Sequence, residues 1–126
     1  MSHTVLVVED DLDIRQALMD ILEEHGFGVM GARDGAEALS LLAGASDLPC
    51  LILLDLMMPV MDGATFREAQ RGDPRLASIP VVVLSAHRTV DRQAGGLDAV
   101  SILRKPPSVR ELVNVLRTHC QSPGPP

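Results

Sequence analysis

Leu51-Ile52-Leu53-Leu54-Asp55 is the stretch whose reading decides the fold. Four aliphatic residues follow one another without a polar break, so a strand built from them must be covered on both faces. That pattern belongs to a parallel sheet between helical layers, not to a half-exposed antiparallel strand with alternating polarity. It recurs at Val5-Leu6-Val7-Val8 and at Val81-Val82-Val83-Leu84, with weaker versions at Gly28–Ala32 and Ser101–Leu103. Asp55 closes the central run, and a buried carboxylate is costly unless something compensates it.

Between these runs the period changes from continuous to helical. Ile14, Ala17, Leu18, Ile21 and Leu22 follow i, i+3, i+4, i+7, i+8 spacing, with Asp11 placed as N-cap and Gly26 as the stop. Asp34-Gly35 opens a second helical stretch from Ala36 to Leu42, and Ala64 to Arg71 gives a third. Ser108 and Glu111 form a capping box after Pro106-Pro107, ahead of an apolar stripe of Leu112, Val113 and Leu116. Residues 86–99 must hold a further, short helix, because Gly95-Gly96 weakens it. The order strand-helix, repeated five times, predicts an α/β domain whose parallel sheet is sandwiched by helices. The end, Gln121 to Pro126, is rich in proline and cannot join it, so 121–126 reads as a disordered tail or the start of a linker.

Composition narrows the function. The 126 residues suit one compact domain, and 46% of them are apolar. Trp and Tyr are absent and Phe occurs twice, at Phe27 and Phe66, so the core is aliphatic. With 11 basic and 17 acidic residues the formal charge is −6, and no segment clusters Lys and Arg, which speaks against direct nucleic-acid binding. No window reaches the length of a membrane span, and the first apolar run is too short for a signal peptide. Cys50 and Cys120, seventy positions apart without C-x-x-C spacing, read as two reduced thiols of a cytoplasmic protein. His3, His25 and His119 lack metal-ligand spacing, and Met19 and Met30 read as core fillers.

The polar residues that matter all follow apolar runs. Glu9-Asp10-Asp11 comes after the first, Asp55 after the third, Ser85 after the fourth and Lys105 after the fifth. Ligands of open α/β sheets bind beyond the carboxyl ends of the strands, where strand order reverses. With the order 2-1-3-4-5, Glu9, Asp10 and Asp55 converge on one crevice, and Ser85 and Lys105 close its far side. Three clustered carboxylates repel by roughly 1 to 4 kcal/mol per pair. A hard divalent cation relieves that repulsion, and an all-oxygen site with room for water points to Mg²⁺. A neutralised carboxylate oxygen can then attack phosphorus, with Lys105 and the Ser85 hydroxyl holding the phosphoryl oxygens.

Val7-Val8-Glu9-Asp10-Asp11, Leu53 to Gly63, Leu84-Ser85-Ala86 and Lys105-Pro106 resemble the receiver domain of two-component response regulators, from about residue 3 to 119. The stretch Asp55 to Gly63 is the most specific part. The resemblance implies a flavodoxin-like (βα)5 fold, a doubly wound parallel five-stranded sheet in order 2-1-3-4-5 with helices on both faces, over residues 3–120. It implies that Asp55 takes a phosphoryl group from a histidine kinase or histidine phosphotransfer protein. Glu9, Asp10, Asp55 and the backbone carbonyl of Met57 would hold Mg²⁺, with Ser85 as the hydroxyl that turns toward the phosphoryl group and Lys105 as its cationic partner. Pro106 would follow a cis peptide bond, and Pro59 and Gly63 would shape the loop after the nucleophile. Such a protein is no turnover enzyme: it phosphorylates itself and loses the group slowly, acting through an effector domain, a protein target or a phosphorylation-linked dimer.

Three positions depart from the family pattern. Ile102 stands where an aromatic ring usually swings inward, Pro107 where a large apolar residue is common, and His87 where a side chain could overhang the phosphoryl site. Two other functions compete with phosphoacceptance: a docking module that is never phosphorylated, and an aspartyl-nucleophile phosphatase. The first would be signalled by loss of the nucleophile, acids or lysine, all of which are present. The second requires an Asp two residues after the nucleophile, where this chain has Met57. A flavodoxin-like cofactor binder would carry Ser, Thr and Gly after the first strand, where this chain is acidic.

Overall fold

The computed structural model describes residues 3–55, 63–85, 101–104 and 107–120. Five parallel strands, β1 (Thr4–Val8), β2 (Gly28–Ala32), β3 (Leu51–Asp55), β4 (Val81–Ser85) and β5 (Ser101–Arg104), lie in the order β2-β1-β3-β4-β5. The described helices are α1 (Leu12–Glu24), α2 (Gly35–Gly44), α3 (Gly63–Arg71) and α4 (Val109–His119). The expected strand order and α/β class are therefore observed. The helix expected within 86–99 and the tail 121–126 lie outside the described residues.

The unbroken apolar runs are explained by alternation. Leu6, Val8, Ile52, Leu54, Val81 and Val83 face one layer, where Ala38 and Leu42 of α2 and Phe66 of α3 cover them. Val5, Val7, Leu51, Leu53, Val82 and Leu84 face the other, under Leu18 and Leu22 of α1 and Leu112 and Leu116 of α4. Successive side chains point to opposite faces, so a strand buried on both sides has no position left for a polar residue. β2, at one edge of the sheet, is only partly buried, which accounts for its weaker sequence signal.

Local chemistry sets the helix ends. Asp11 caps α1 by accepting from the Ile14 N–H at 3.1 Å, and Asp34 caps α2 from the Glu37 N–H at 2.8 Å. Ser108 caps α4 from the Glu111 N–H at 3.1 Å, while its hydroxyl donates to Glu111 Oε1 at 3.0 Å. Each such cap contributes about 1 kcal/mol. Gly26 ends α1 with φ 89°, a left-handed conformation that glycine adopts without a Cβ clash.

Two features differ from the sequence reading. The covered face of α1 runs through Arg15, Leu18, Met19 and Leu22, while Ile14 and Ala17 are exposed. Gly31 explains the rotation: a Cβ there would come within 2.9 Å of Met19 Sδ and 3.4 Å of Arg15 Cδ, so the bare backbone of β2 makes room for these two side chains. Second, the expectation of two reduced thiols is wrong. Cys50 and Cys120 form a disulfide, with Cα atoms 5.5 Å apart across a separation of 70 residues. In a parallel sheet the residue before β3 and the residue after α4 meet at one end of the domain, a proximity that chain spacing does not express.

The segment 72–80 between α3 and β4 is organised by polar side chains. Gln70, fully buried, donates from Nε2 to the carbonyls of Leu76 (2.9 Å) and Ile79 (3.1 Å) and accepts from Arg67 Nη1 (2.8 Å). Arg75 donates to the carbonyl of Leu42 at 2.9 Å and also to that of Ala45, the C-cap residue, so it bonds carbonyls at the end of α2.

Candidate functional site

The register of the sheet brings the acidic residues level. Val8 pairs with Leu54, so Glu9 and Asp55 leave adjacent strands side by side. Asp55 in turn pairs with Leu84, which sets Ser85 one residue further along β4, and Ser85 pairs with Arg104, the residue before Lys105. The crevice thus opens at the carboxyl ends of β1 and β3, where the chain winds to opposite faces of the sheet.

Glu9, Asp10 and Asp55 each offer a carboxylate oxygen, and these oxygens lie within 4.8 Å of one another. Glu9 is fully buried and Asp55 is 5% exposed, while Asp10 is exposed. Glu9 is fixed at three atoms: its N–H donates to the Ala32 carbonyl at 2.9 Å, its Oε2 accepts from the Asp11 N–H at 3.4 Å, and its carbonyl accepts from Arg15 Nη1 at 2.7 Å. The donor set is all oxygen and anionic, which fits a hard divalent cation such as Mg²⁺ and does not fit a soft metal. Two carboxylates under the surface and one at its edge leave an approach to the cluster from the Asp10 side.

Three of the anticipated site residues are therefore together. The backbone of Ser85 is in place on β4, but its side chain, together with Met57, Pro59, His87, Lys105 and Pro106, lies outside the described residues, as does the side chain of Ile102. Gly63 begins α3. Arg15 was not singled out from the sequence, although a signal existed. A cation near the start of a helix opposes the helix dipole and asks for a local acceptor.

A family model described as response regulator receiver domain matches residues 5–117. Response regulator MprA of Mycobacterium tuberculosis is 39% identical over 119 residues, covering 93% of this chain and 50% of that protein. MprA of Mycobacterium avium is 38% identical over 117 residues, covering 90% and 49%. The chain spans about half the length of the curated relatives it matches. Among solved structures, the chemotaxis protein CheY4 of Vibrio cholerae is similar at TM-score 0.84 and 29% identity, covering 94% of this chain and 99% of that one. The receiver domain of Francisella response regulator 1452 is similar at TM-score 0.80 and 30% identity, covering 93% and 95%.

Proposed function

Since the chain belongs to the response regulator receiver domain family, we propose that it is a phosphoacceptor whose Asp55 is modified by a partner histidine kinase or histidine phosphotransfer protein in the cytoplasm. The domain occupies residues 3–120, and 121–126 is a tail or the beginning of a linker. The observation that carries the reading is the approach of Glu9, Asp10 and Asp55 to within 4.8 Å, with Asp55 all but buried at the end of β3. Asp10 remains at the surface, on the path by which a donor would enter.

An Asp55 carboxylate oxygen attacks phosphorus, a P–O bond forms, and the P–N bond of the phosphohistidine breaks with its electron pair left on the imidazole. Glu9, Asp10, Asp55 and the Met57 carbonyl would hold Mg²⁺, which when bound offsets the charge of the cluster and of the transferred group. The Ser85 hydroxyl and the Lys105 ammonium take the remaining phosphoryl oxygens. Hydrolysis of the acyl phosphate is slow, so the product is a signalling state and not a turnover intermediate. No helix of the described residues is long and apolar enough to cross a membrane.

The test is incubation with Mg²⁺ and a small acyl-phosphate donor, followed by intact mass measurement. A single phosphoryl adduct that vanishes in Asp55→Asn and in EDTA supports the reading. Absence of an adduct with every donor and kinase tried, in protein that is folded by circular dichroism, overturns it and leaves a docking module.

A further inference from the structure

The disulfide lies at the end of the sheet opposite the carboxylates. Cys50 directly precedes β3 and is half-buried, while Cys120 directly follows α4 and is 1% exposed among the side chains of Leu112, Leu116 and their neighbours. Asp55 stands five residues along from Cys50, about 17 Å at the rise of a strand. We propose that Cys50–Cys120 is a reversible modification site, exchanging with small-molecule disulfides and thiols, that pins the end of α4 to the base of β3 when oxidised and releases it when reduced.

Three observations carry this. Arg117, Thr118 and His119 are exposed, so beyond Leu116 the last turn of α4 is held down by Cys120 among the described residues. The Cα atoms are 5.5 Å apart, an ordinary separation for a disulfide, so the closed bond pulls neither α4 nor β3 out of place. The two residues also differ in exposure, Cys50 half-buried and Cys120 1% exposed, so a small disulfide reacts at Cys50, and Cys120 then resolves the adduct from inside. In the cytoplasmic placement proposed above, a disulfide would be transient and redox-sensing, as such bonds mostly are in reducing compartments.

The exchange balances as follows. The Cys50 thiolate attacks one sulfur of a small disulfide RSSR, forming Cys50–S–S–R and expelling RS⁻. The Cys120 thiolate then attacks the Cys50 sulfur and expels the second RS⁻. The two cysteines lose two electrons and two protons, and RSSR becomes two RSH. Excess thiol runs both steps backward.

The full chain would be equilibrated with mixtures of reduced and oxidised glutathione, trapped with iodoacetamide and weighed intact. The oxidised product should be monomeric, two hydrogens lighter than the reduced chain and closed to alkylation. It should revert fully on reduction and melt on the order of 10 °C higher. Hydrogen exchange in peptides covering 113–120 should quicken at least about tenfold on reduction, while β1 and β3 stay protected. In Cys120→Ser the reaction should stop at a glutathione adduct on Cys50, and in Cys50→Ser no adduct should form. A persistent glutathione adduct in the wild type, covalent dimers, or equal exchange of 113–120 in both states would overturn the proposal. The oxidised and reduced wild-type forms decide it even if a serine variant fails to fold.

Discussion

Arg15 reaches back across the first turns of α1 to the carbonyl oxygen of Glu9, Nη1 to O at 2.7 Å. One side chain thereby joins the helix to the loop that carries two of the three clustered carboxylates, and its stem fills the space above Gly31. Replacing Arg15 by Met keeps the stem and deletes the donor. The unfolding free energy should fall by about 1–2 kcal/mol in urea titration, and Lys should recover part of it. An unchanged midpoint in Arg15→Met would show that the stem alone is what matters.

The carboxylate cluster leads to a prediction about stability and Mg²⁺. Mg²⁺ should raise the melting temperature, by an amount equivalent to about 2.7 kcal/mol at a hundredfold excess over Kd. Asp10→Asn should remove most of that shift. The same variant without Mg²⁺ should be up to about 1 kcal/mol more stable than wild type, because one like charge is gone from a partly solvated group. A full Mg²⁺ shift in Asp10→Asn would place the ion elsewhere.

Gln70 is a buried amide with three partners: two carbonyls and a guanidinium. Gln70→Leu has nearly the same volume but leaves the Leu76 and Ile79 carbonyls without its donors. Loss of about 2–4 kcal/mol is expected in chemical denaturation, with faster hydrogen exchange across 72–80. A neutral result would mean that water replaces the amide.

At Gly26 the backbone has φ 89° and the residue is exposed, so no packing complicates the change. Gly26→Ala should cost about 1–2 kcal/mol, read from the thermal midpoint, and Gly26→Asn should cost less because asparagine tolerates the left-handed region.

Much of this architecture was legible because each element declares itself locally. Runs such as Leu51–Leu54 announce burial on both faces, and Asp11, Asp34 and Ser108 announce helix starts through their own side-chain acceptors. The carboxylates were legible for a related reason: each follows a buried strand, where a charge is conspicuous. Other features depend on distant partners. Gln70 and Arg67 look like solvated helix residues until the chain from 72 to 80 folds over them, and Arg75 looks like a loose loop residue until the end of α2 comes within its reach. Which stripe of α1 turns inward is decided by a glycine on β2, and the pairing of Cys50 with Cys120 by the return of α4 to the base of the sheet.

The disulfide also closes residues 50 to 120 into a covalent ring, with an N-terminal arm before it and residues 121–126 after it. The ring contains β3, β4, β5, α3 and α4, yet one of the two strands beside β3 is β1, which belongs to the arm. Closed by itself, the ring would leave the backbone N–H and C=O groups along one edge of β3 open to any other strand. Because the arm is synthesised first, β1 is available to that edge when β3 emerges, before the cysteine that closes the ring has been made.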